Sequence, residues 1–205
     1  VLLLVLLISV VLFHVGLLQA LIGPMILSFA DEKTTGVLQS LAAAGMPAGA
    51  LLIGGFGRRG RQVRTLTVSL SFMGLFFALI GLKADARFIV VPGFLFFFTL
   101  PFVNSSIEVL IRGNIDNEKQ GRAWALISVF TYFGALVAYA LAGILADKIF
   151  NPLLLPGGAL AGSFGSLFGT GPGRGITLMF FLSGIIVAVL PVAILASKDL
   201  KRLEA

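Results

Sequence analysis

The sequence predicts an all-α membrane protein of six transmembrane helices, and three observations carry that prediction. Long stretches such as Leu2 to Leu27 and Ile176 to Ala196 contain almost no charge, and each is long enough to cross a hydrocarbon layer of about 30 Å. Hydrophobic residues make up 58% of the 205 and charged residues 12%, against roughly 45–50% and about 25% in ordinary soluble domains. The basic residues gather in short connectors between the apolar runs. A soluble fold of this length would alternate apolar and polar faces instead.

The first helix is placed over Leu2 to Leu27. At about 1.5 Å per residue it is longer than a perpendicular crossing needs, and Gly23-Pro24 predicts a kink. It lacks a basic leader and a small-residue cleavage site, so it reads as a mature span and not as a secretory signal. With Val1 where a methionine would stand, the chain is expected to begin inside a longer protein. The second helix is placed over Val37 to Phe56. There Gly36, Ser40, Ala44 and Ala48, with Gly45 and Gly49, form a small-residue face, and Pro47 interrupts the backbone ladder. The third runs from Leu66 to Leu82, and the fourth from Phe88 to Leu110 with Phe96, Phe97 and Phe98 in succession. Consecutive residues point around a helix, so at most two of these rings can face one cavity. The fifth covers Trp124 to Leu145, where Gly134, Ala138, Ala142 and Ala146 recur every fourth residue, and the sixth covers Ile176 to Ala196. Small-residue stripes let helices approach closely, either as static packing or as seams that slide. The connector from Phe150 to Gly175 holds three prolines and eight glycines. It reads as a long extracytoplasmic loop, with two alternatives open: an interfacial or re-entrant segment over the outer mouth, or disorder.

Ten of the fifteen basic residues lie on the even connectors and the tail: Arg58, Arg59, Arg61 and Arg64, then Arg112, Lys119 and Arg122, then Lys198, Lys201 and Arg202. The positive-inside rule therefore puts both termini in the cytoplasm. The second and fifth helices also end alike, in Gly54-Gly55-Phe56-Gly57-Arg58-Arg59-Gly60-Arg61 and Gly143-Ile144-Leu145-Ala146-Asp147-Lys148. Under this topology the two ends lie on opposite faces, as a 3+3 inverted repeat would place them.

The connector Gly57-Arg58-Arg59-Gly60-Arg61 resembles the signature between the second and third helices of each half in the major facilitator superfamily, with Gly57 where an aspartate would stand. Glu118-Lys119-Gln120-Gly121-Arg122 before the fifth helix, Gly143 to Lys148 at its end, Pro156 to Gly162 and Gly169 to Gly175 together resemble the macrolide-efflux-like branch. That resemblance implies the C-terminal six-helix half of a twelve-helix exporter in a bacterial inner membrane, trading protons for a small amphipathic substrate. It also implies a missing N-terminal six-helix half as partner, alongside membrane lipid. It places a cytoplasmic gate at Gly57, Arg58, Arg59, Gly60, Arg61, Glu118, Gln120, Gly121 and Arg122, and an outer gate at Gly143, Asp147 and Lys148.

Polar residues inside spans are the other candidates, because an unsatisfied polar group in hydrocarbon is costly. His14 is the only histidine. It reads as a substrate hydrogen-bond donor or protonation site, or else as a neutral imidazole bonded to a neighbouring helix. Gln19, Asn104, Thr131 and Tyr132 are candidates for lining a substrate cavity. Glu108, the one acid inside a predicted span, is a candidate for proton coupling, with a local pair to Arg112 at i,i+4 as the competing reading. Arg58, Arg59 or Arg61 could latch onto Asp116 or Glu118 in one conformation, beside the plainer reading as positive-inside charge. Asp147 and Lys148 read as headgroup anchors or an outer gate contact.

Enzyme chemistry is not indicated. Gly162-Ser163-Phe164-Gly165 does not match a nucleophile elbow, and Gly169 to Gly175 lacks the lysine and hydroxyl of a phosphate-binding loop. No cysteine is present and no histidine or acid cluster has metal-ligand spacing. The basic charge is scattered and not striped, which argues against nucleic acid. No metal or cofactor is expected. The alternatives to a secondary exporter are the transmembrane half of an ATP-driven pump and a membrane scaffold.

Overall fold

The computed structural model describes residues 2–56, 61–83 and 85–195, with the side chains of 2–4, 56, 131 and 193–195 outside that description. The described residues form helices and connections without a strand. They run as α1 (Leu2–Leu27), α2 (Glu32–Ala43), α3 (Gly45–Phe56), α4 (Gln62–Leu82), α5 (Ala86–Asn114), α6 (Asn117–Ile144), a π-helical segment (Leu145–Phe150), α7 (Asn151–Leu154), α8 (Ala161–Phe168) and α9 (Arg174–Leu195). Six of the resulting rods are long and apolar enough to cross a membrane: α1, α2 with α3, α4, α5, α6 through α7, and α9.

The predicted boundaries differ from the observed ones mostly where a helix begins in polar sequence. The second span starts at Glu32, not Val37, because Asp31 caps it by accepting from the Thr34 amide at 2.9 Å. The fifth starts at Asn117, not Trp124, so the turn after α5 is only Ile115 and Asp116. Hydropathy ends a helix where charge begins, whereas a backbone ladder continues into the headgroup region, where water and lipid solvate charged side chains. The fifth span also runs through Asp147 and Lys148 as a π-helical segment and ends at Leu154. Pro47 divides the second span: it has no N–H to offer the Ala43 carbonyl four residues back, and α2 ends at Ala43 with α3 beginning at Gly45.

The Thr34 side chain and amide beside Asp31 hold its carboxyl below the ordinary carboxylate range. A depressed carboxyl contributes its stabilisation fully above the ordinary pKa and loses it as pH falls through the lowered folded value. Acidification should therefore lower the hydrogen-exchange protection factors of Thr34 and Thr35, each rate being compared with the intrinsic amide rate at the same pH. Asp31→Asn, which keeps a neutral cap, should flatten that dependence.

Packing gives each span a place. α4 lies against α5 and α9, α1 against α6 and α9, and α5 against α2 and α3. α4 and α9 cross where glycines remove side chains: a Cβ on Gly74 would overlap the backbone of Ala188, and one on Gly184 the backbone of Ala78. The close approach lets Ser71 Oγ donate to the Ala188 carbonyl at 3.0 Å. Phe77 of α4, fully buried, meets Phe96 of α5 at 5.9 Å and Phe180 of α9 at 5.4 Å between ring centroids. The fifth-helix stripe packs as expected, with Ala138, Ala142 and Ala146 buried and Gly16 of α1 set against Ala138. In the second span the buried edge is Leu38, Ala42, Gly45 and Gly49, the two glycines abutting the backbone of Phe94 and Phe98. Gly36, Ser40 and Ala44 instead face outward.

Polar groups in the spans largely satisfy themselves along their own helix, as an apolar surround demands. Thr67 donates to Val63, Thr99 to Phe96 and Thr177 to Arg174. The long connector is ordered around α8, whose Phe168 is buried against Leu154 and Leu178. The Gly171 amide ties the loop to the Leu154 carbonyl at 3.0 Å.

Candidate functional site

α1, α2, α4 and α5 do not close completely on one another. Between them lies a cavity of about 250 Å³ lined by Val15, Leu18, Gln19, Ile22 and Ile26 from α1, Leu38, Gln39, Ala42 and Ala43 from α2, Ile80 from α4, and Ile89, Gly93, Phe96, Phe97 and Leu100 from α5. A smaller cavity of about 70 Å³ continues along the same contact toward the Arg61 end, between Leu7, Val11 and Leu12, Leu66, Leu70 and Met73, and Val103, Asn104 and Ile107. Val15 and Leu100 line both, so their side chains stand at the boundary between the two spaces.

Two amides are the polar groups of the larger cavity. Gln19 Oε1 accepts from Tyr139 Oη of α6 at 2.6 Å, which fixes its orientation. Gln39 reaches toward α1, where a Cβ on Gly23 would stand 3.8 Å from its Nε2. Phe96 and Phe97 both line this space, which is the most that the phenylalanine triplet could offer. No lining residue carries a charge.

Gln19 thus lines the larger cavity and Asn104 the smaller one, while His14 and Tyr132 line neither. The Thr131 side chain lies outside the described residues. Tyr132 stands on the exposed face of α6, and His14 is buried in α1, its Nδ1 bonded to the Val10 carbonyl of its own helix at 2.7 Å. Gln39 and Tyr139 are the residues that sequence reasoning passed over. Gln39 sits three positions into an apolar run and looks interfacial when the helix is started at Val37, although an uncharged amide within a span is the same signal that marked Gln19.

At the Arg61 end, Glu108 Oε1 accepts from Arg112 at 2.6 Å, the local pair that the i,i+4 spacing allows. Gln120 turns back to donate to the Ile115 carbonyl at 3.2 Å and to Asn117 Oδ1 at 2.9 Å, closing the tight turn between α5 and α6. Asp116 pairs with Lys119 at 2.8 Å. Among the described residues Arg61 forms no ion pair with Asp116 or Glu118, both of which are exposed together with Gly121 and Arg122. Gly57, Arg58, Arg59 and Gly60 lie outside the described residues, as do Lys198, Lys201 and Arg202. At the other end Gly143, Asp147 and Lys148 are exposed. Asp147 Oδ1 accepts from Asn151 at 3.2 Å, and Asn151 Oδ1 in turn accepts from the Gly175 amide at 3.1 Å, so this pair of residues joins the end of the fifth span to the start of the sixth.

Large parts of two spans are left uncovered. Leu51 of α3 is 78% exposed and Leu136 of α6 is 65% exposed, with Val129, Phe130 and Phe133 beside the latter. Comparison with models of known protein families, with curated proteins and with solved structures finds no match to this chain.

Proposed function

We propose that the chain is one six-helix half of a major-facilitator-type secondary exporter, moving a hydrophobic or amphipathic small molecule by alternating access in exchange for protons. The observation that carries this reading is an uncharged cavity between the first four spans, with large apolar parts of the second and fifth spans left uncovered. A facing six-helix half would cover α3 and α6 and complete the wall of that cavity. The site would then lie at the interface between repeats, where such transporters bind their substrates.

Pairwise packing supports a 3+3 inverted repeat. Exchange the first span with the fourth, the second with the fifth and the third with the sixth. The first–fifth contact then maps onto the fourth–second, the third–fourth onto the sixth–first, and the third–sixth onto itself, and every one of these pairs is in contact. Connector charge supports an orientation with both termini and the Arg61 turn in the cytoplasm of a bacterial cell.

For the coupling proton, geometry favours His14 over Glu108. His14 is buried within a span and, among the described residues, its ring nitrogens bond only the Val10 carbonyl of its own helix, through Nδ1, which leaves Nε2 open to a proton or a substrate, whereas Glu108 is engaged by Arg112 near a span end. Inverted membrane vesicles carrying the complete protein should accumulate a neutral fluorescent dye when a pH gradient is imposed, and lose it on adding nigericin. His14→Gln should abolish the response to the gradient, while Glu108→Gln should retain it within about twofold, about 0.4 kcal/mol in the barrier. Accumulation that requires ATP and ignores nigericin would instead point to a pump subunit. Dye traffic indistinguishable from vesicles lacking the protein would leave the scaffold reading.

A further inference from the structure

We propose that the cavity between α1, α2, α4 and α5 binds an uncharged, mostly apolar molecule through one amide, ketone or hydroxyl group, held between Gln19 and Gln39, and that it rejects cations. This deepens the exporter reading and rests on it for calling the cavity a substrate site.

Depth is the first argument. Gln39 lies seven residues inside the second span and Gln19 eight residues inside the first, counted from the end that carries Lys83 and Arg174. At the helical rise these are about 10 Å and about 12 Å in, the same level from both sides of the cavity. Both residues are exposed on the six spans alone, so in a bilayer an amide at that depth faces hydrocarbon unless something covers it. Gln19 has a partner in Tyr139, which takes its Oε1 and leaves Nε2 to donate. Gln39, exposed and lining the same cavity, has no hydrogen bond to a described residue and keeps both a donor and an acceptor for whatever enters.

Charge is the second argument. A cation in this space would meet aliphatic side chains, the rings of Phe96 and Phe97, and two neutral amides, with no carboxylate among the lining residues to compensate its lost hydration. An anion would find no lysine or arginine there. A neutral dipole has its hydrogen bonds met and its apolar remainder packed against rings and aliphatic walls. Size is the third: about 250 Å³ lies just below the roughly 300–1,000 Å³ of drug-sized pockets. A two-ring molecule, or one such portion of a larger ligand, fits that scale.

The test uses three probes of matched shape, measured by equilibrium dialysis against the protein in phosphatidylcholine nanodiscs with empty nanodiscs subtracted. These are benzanilide, which is neutral with an amide, trans-stilbene, which is neutral without one, and 1-methyl-4-styrylpyridinium, which is cationic. Benzanilide should bind saturably and about tenfold more tightly than stilbene, as expected for an amide that satisfies an otherwise unpaired group. The cation should not bind above background. Gln39→Leu should bring benzanilide down to the affinity of stilbene while leaving stilbene bound, which reports an intact cavity. Gln19→Leu gives an independent second variant, expected to weaken benzanilide in the same direction. Absence of saturable benzanilide binding, cation binding as tight as benzanilide, or an unchanged benzanilide affinity in Gln39→Leu would overturn the proposal. Loss of stilbene in both leucine variants would overturn it too, since the apolar walls alone should hold that molecule. Gln39-dependent binding by a protein that transports nothing would keep the site and remove the exporter; pH-driven transport without Gln39-dependent binding would do the reverse.

Discussion

Gly184→Ala, a single added methyl group, is expected to destabilise the helix bundle by about 1–3 kcal/mol, the usual cost of forcing atoms into a filled core. The new Cβ would overlap the amide nitrogen of Ala78 across the crossing and approach the Gly74 carbonyl at 2.6 Å. Both are backbone atoms on a neighbouring span, so α4 and α9 must separate along their length. Between apolar helices in lipid the attraction is mostly close packing, because the hydrocarbon outside is as apolar as the residues inside. Separation therefore loses dispersion contacts over the whole crossing and lengthens the Ser71 to Ala188 hydrogen bond. The matched control is Gly36→Ala, where a Cβ meets nothing within 4 Å. There the gain in helix propensity, up to about 1 kcal/mol, should leave the protein as stable or slightly more so. Denaturant titration in detergent micelles, followed by loss of helical circular dichroism, measures both. Equal midpoints for the two variants would mean that α4 and α9 do not cross at Gly74 and Gly184.

Phe77→Ala should cost about 3–5 kcal/mol by the experience of water-soluble cores, and somewhat less here because transfer of the ring between protein and lipid is close to neutral. What remains is the cavity. Phe77 touches rings from both neighbouring spans, and none of its surface is exposed. Its removal leaves a void bounded by Phe96 and Phe180, which cannot both collapse into it while held on separate helices. Phe72→Ala is the comparison: Phe72 is stacked on Phe76 of its own helix and half exposed, and its truncation should stay within about 0.5 kcal/mol of wild type. A Phe77→Ala midpoint as close to wild type as that of Phe72→Ala would remove the three-span aromatic hub from the account.

The number of spans was legible in the sequence because hydrocarbon imposes a length and a composition that no soluble helix needs. Their polar first turns were not, since the five residues from Glu32 to Gly36 and the stretch from Asn117 to Ala123 follow the local rules of caps and ladders while hydropathy sees only their charge. The Gly134 to Ala146 stripe was read correctly as a contact face, yet the α4–α9 crossing was missed. Gly74-xxx-Ala78 and Gly184-xxx-Ala188 each make only a single small-xxx-small step, and it takes both helices together to give them meaning. In the second span Gly36, Ser40 and Ala44 of the small-residue face point outward, while Gly45 and Gly49, read as part of the same face, abut the backbone of Phe94 and Phe98. Periodicity fixes which residues share a face; it does not say which face meets a neighbour. The cavity suffers from the same gap. Gln19 was singled out as a polar group inside a span, but its partner Tyr139 comes from a span far along the chain, and Gln39, across the cavity, from a turn that hydropathy placed at the membrane surface.

The most direct measurement of the central claim, six crossings with the Arg61 and Lys119 turns on one side, is single-cysteine labelling, for which the cysteine-free chain gives an unmarked background. Arg61→Cys, Lys83→Cys, Lys119→Cys and Arg174→Cys would each be expressed in intact cells and exposed to a membrane-impermeant maleimide. Lys83→Cys and Arg174→Cys are predicted to react at once, and Arg61→Cys and Lys119→Cys only after the cells are permeabilised. Reaction of Arg61→Cys and Lys119→Cys from opposite sides, or of all four from one side, would contradict the threading on which the cavity, the repeat and the exporter all depend.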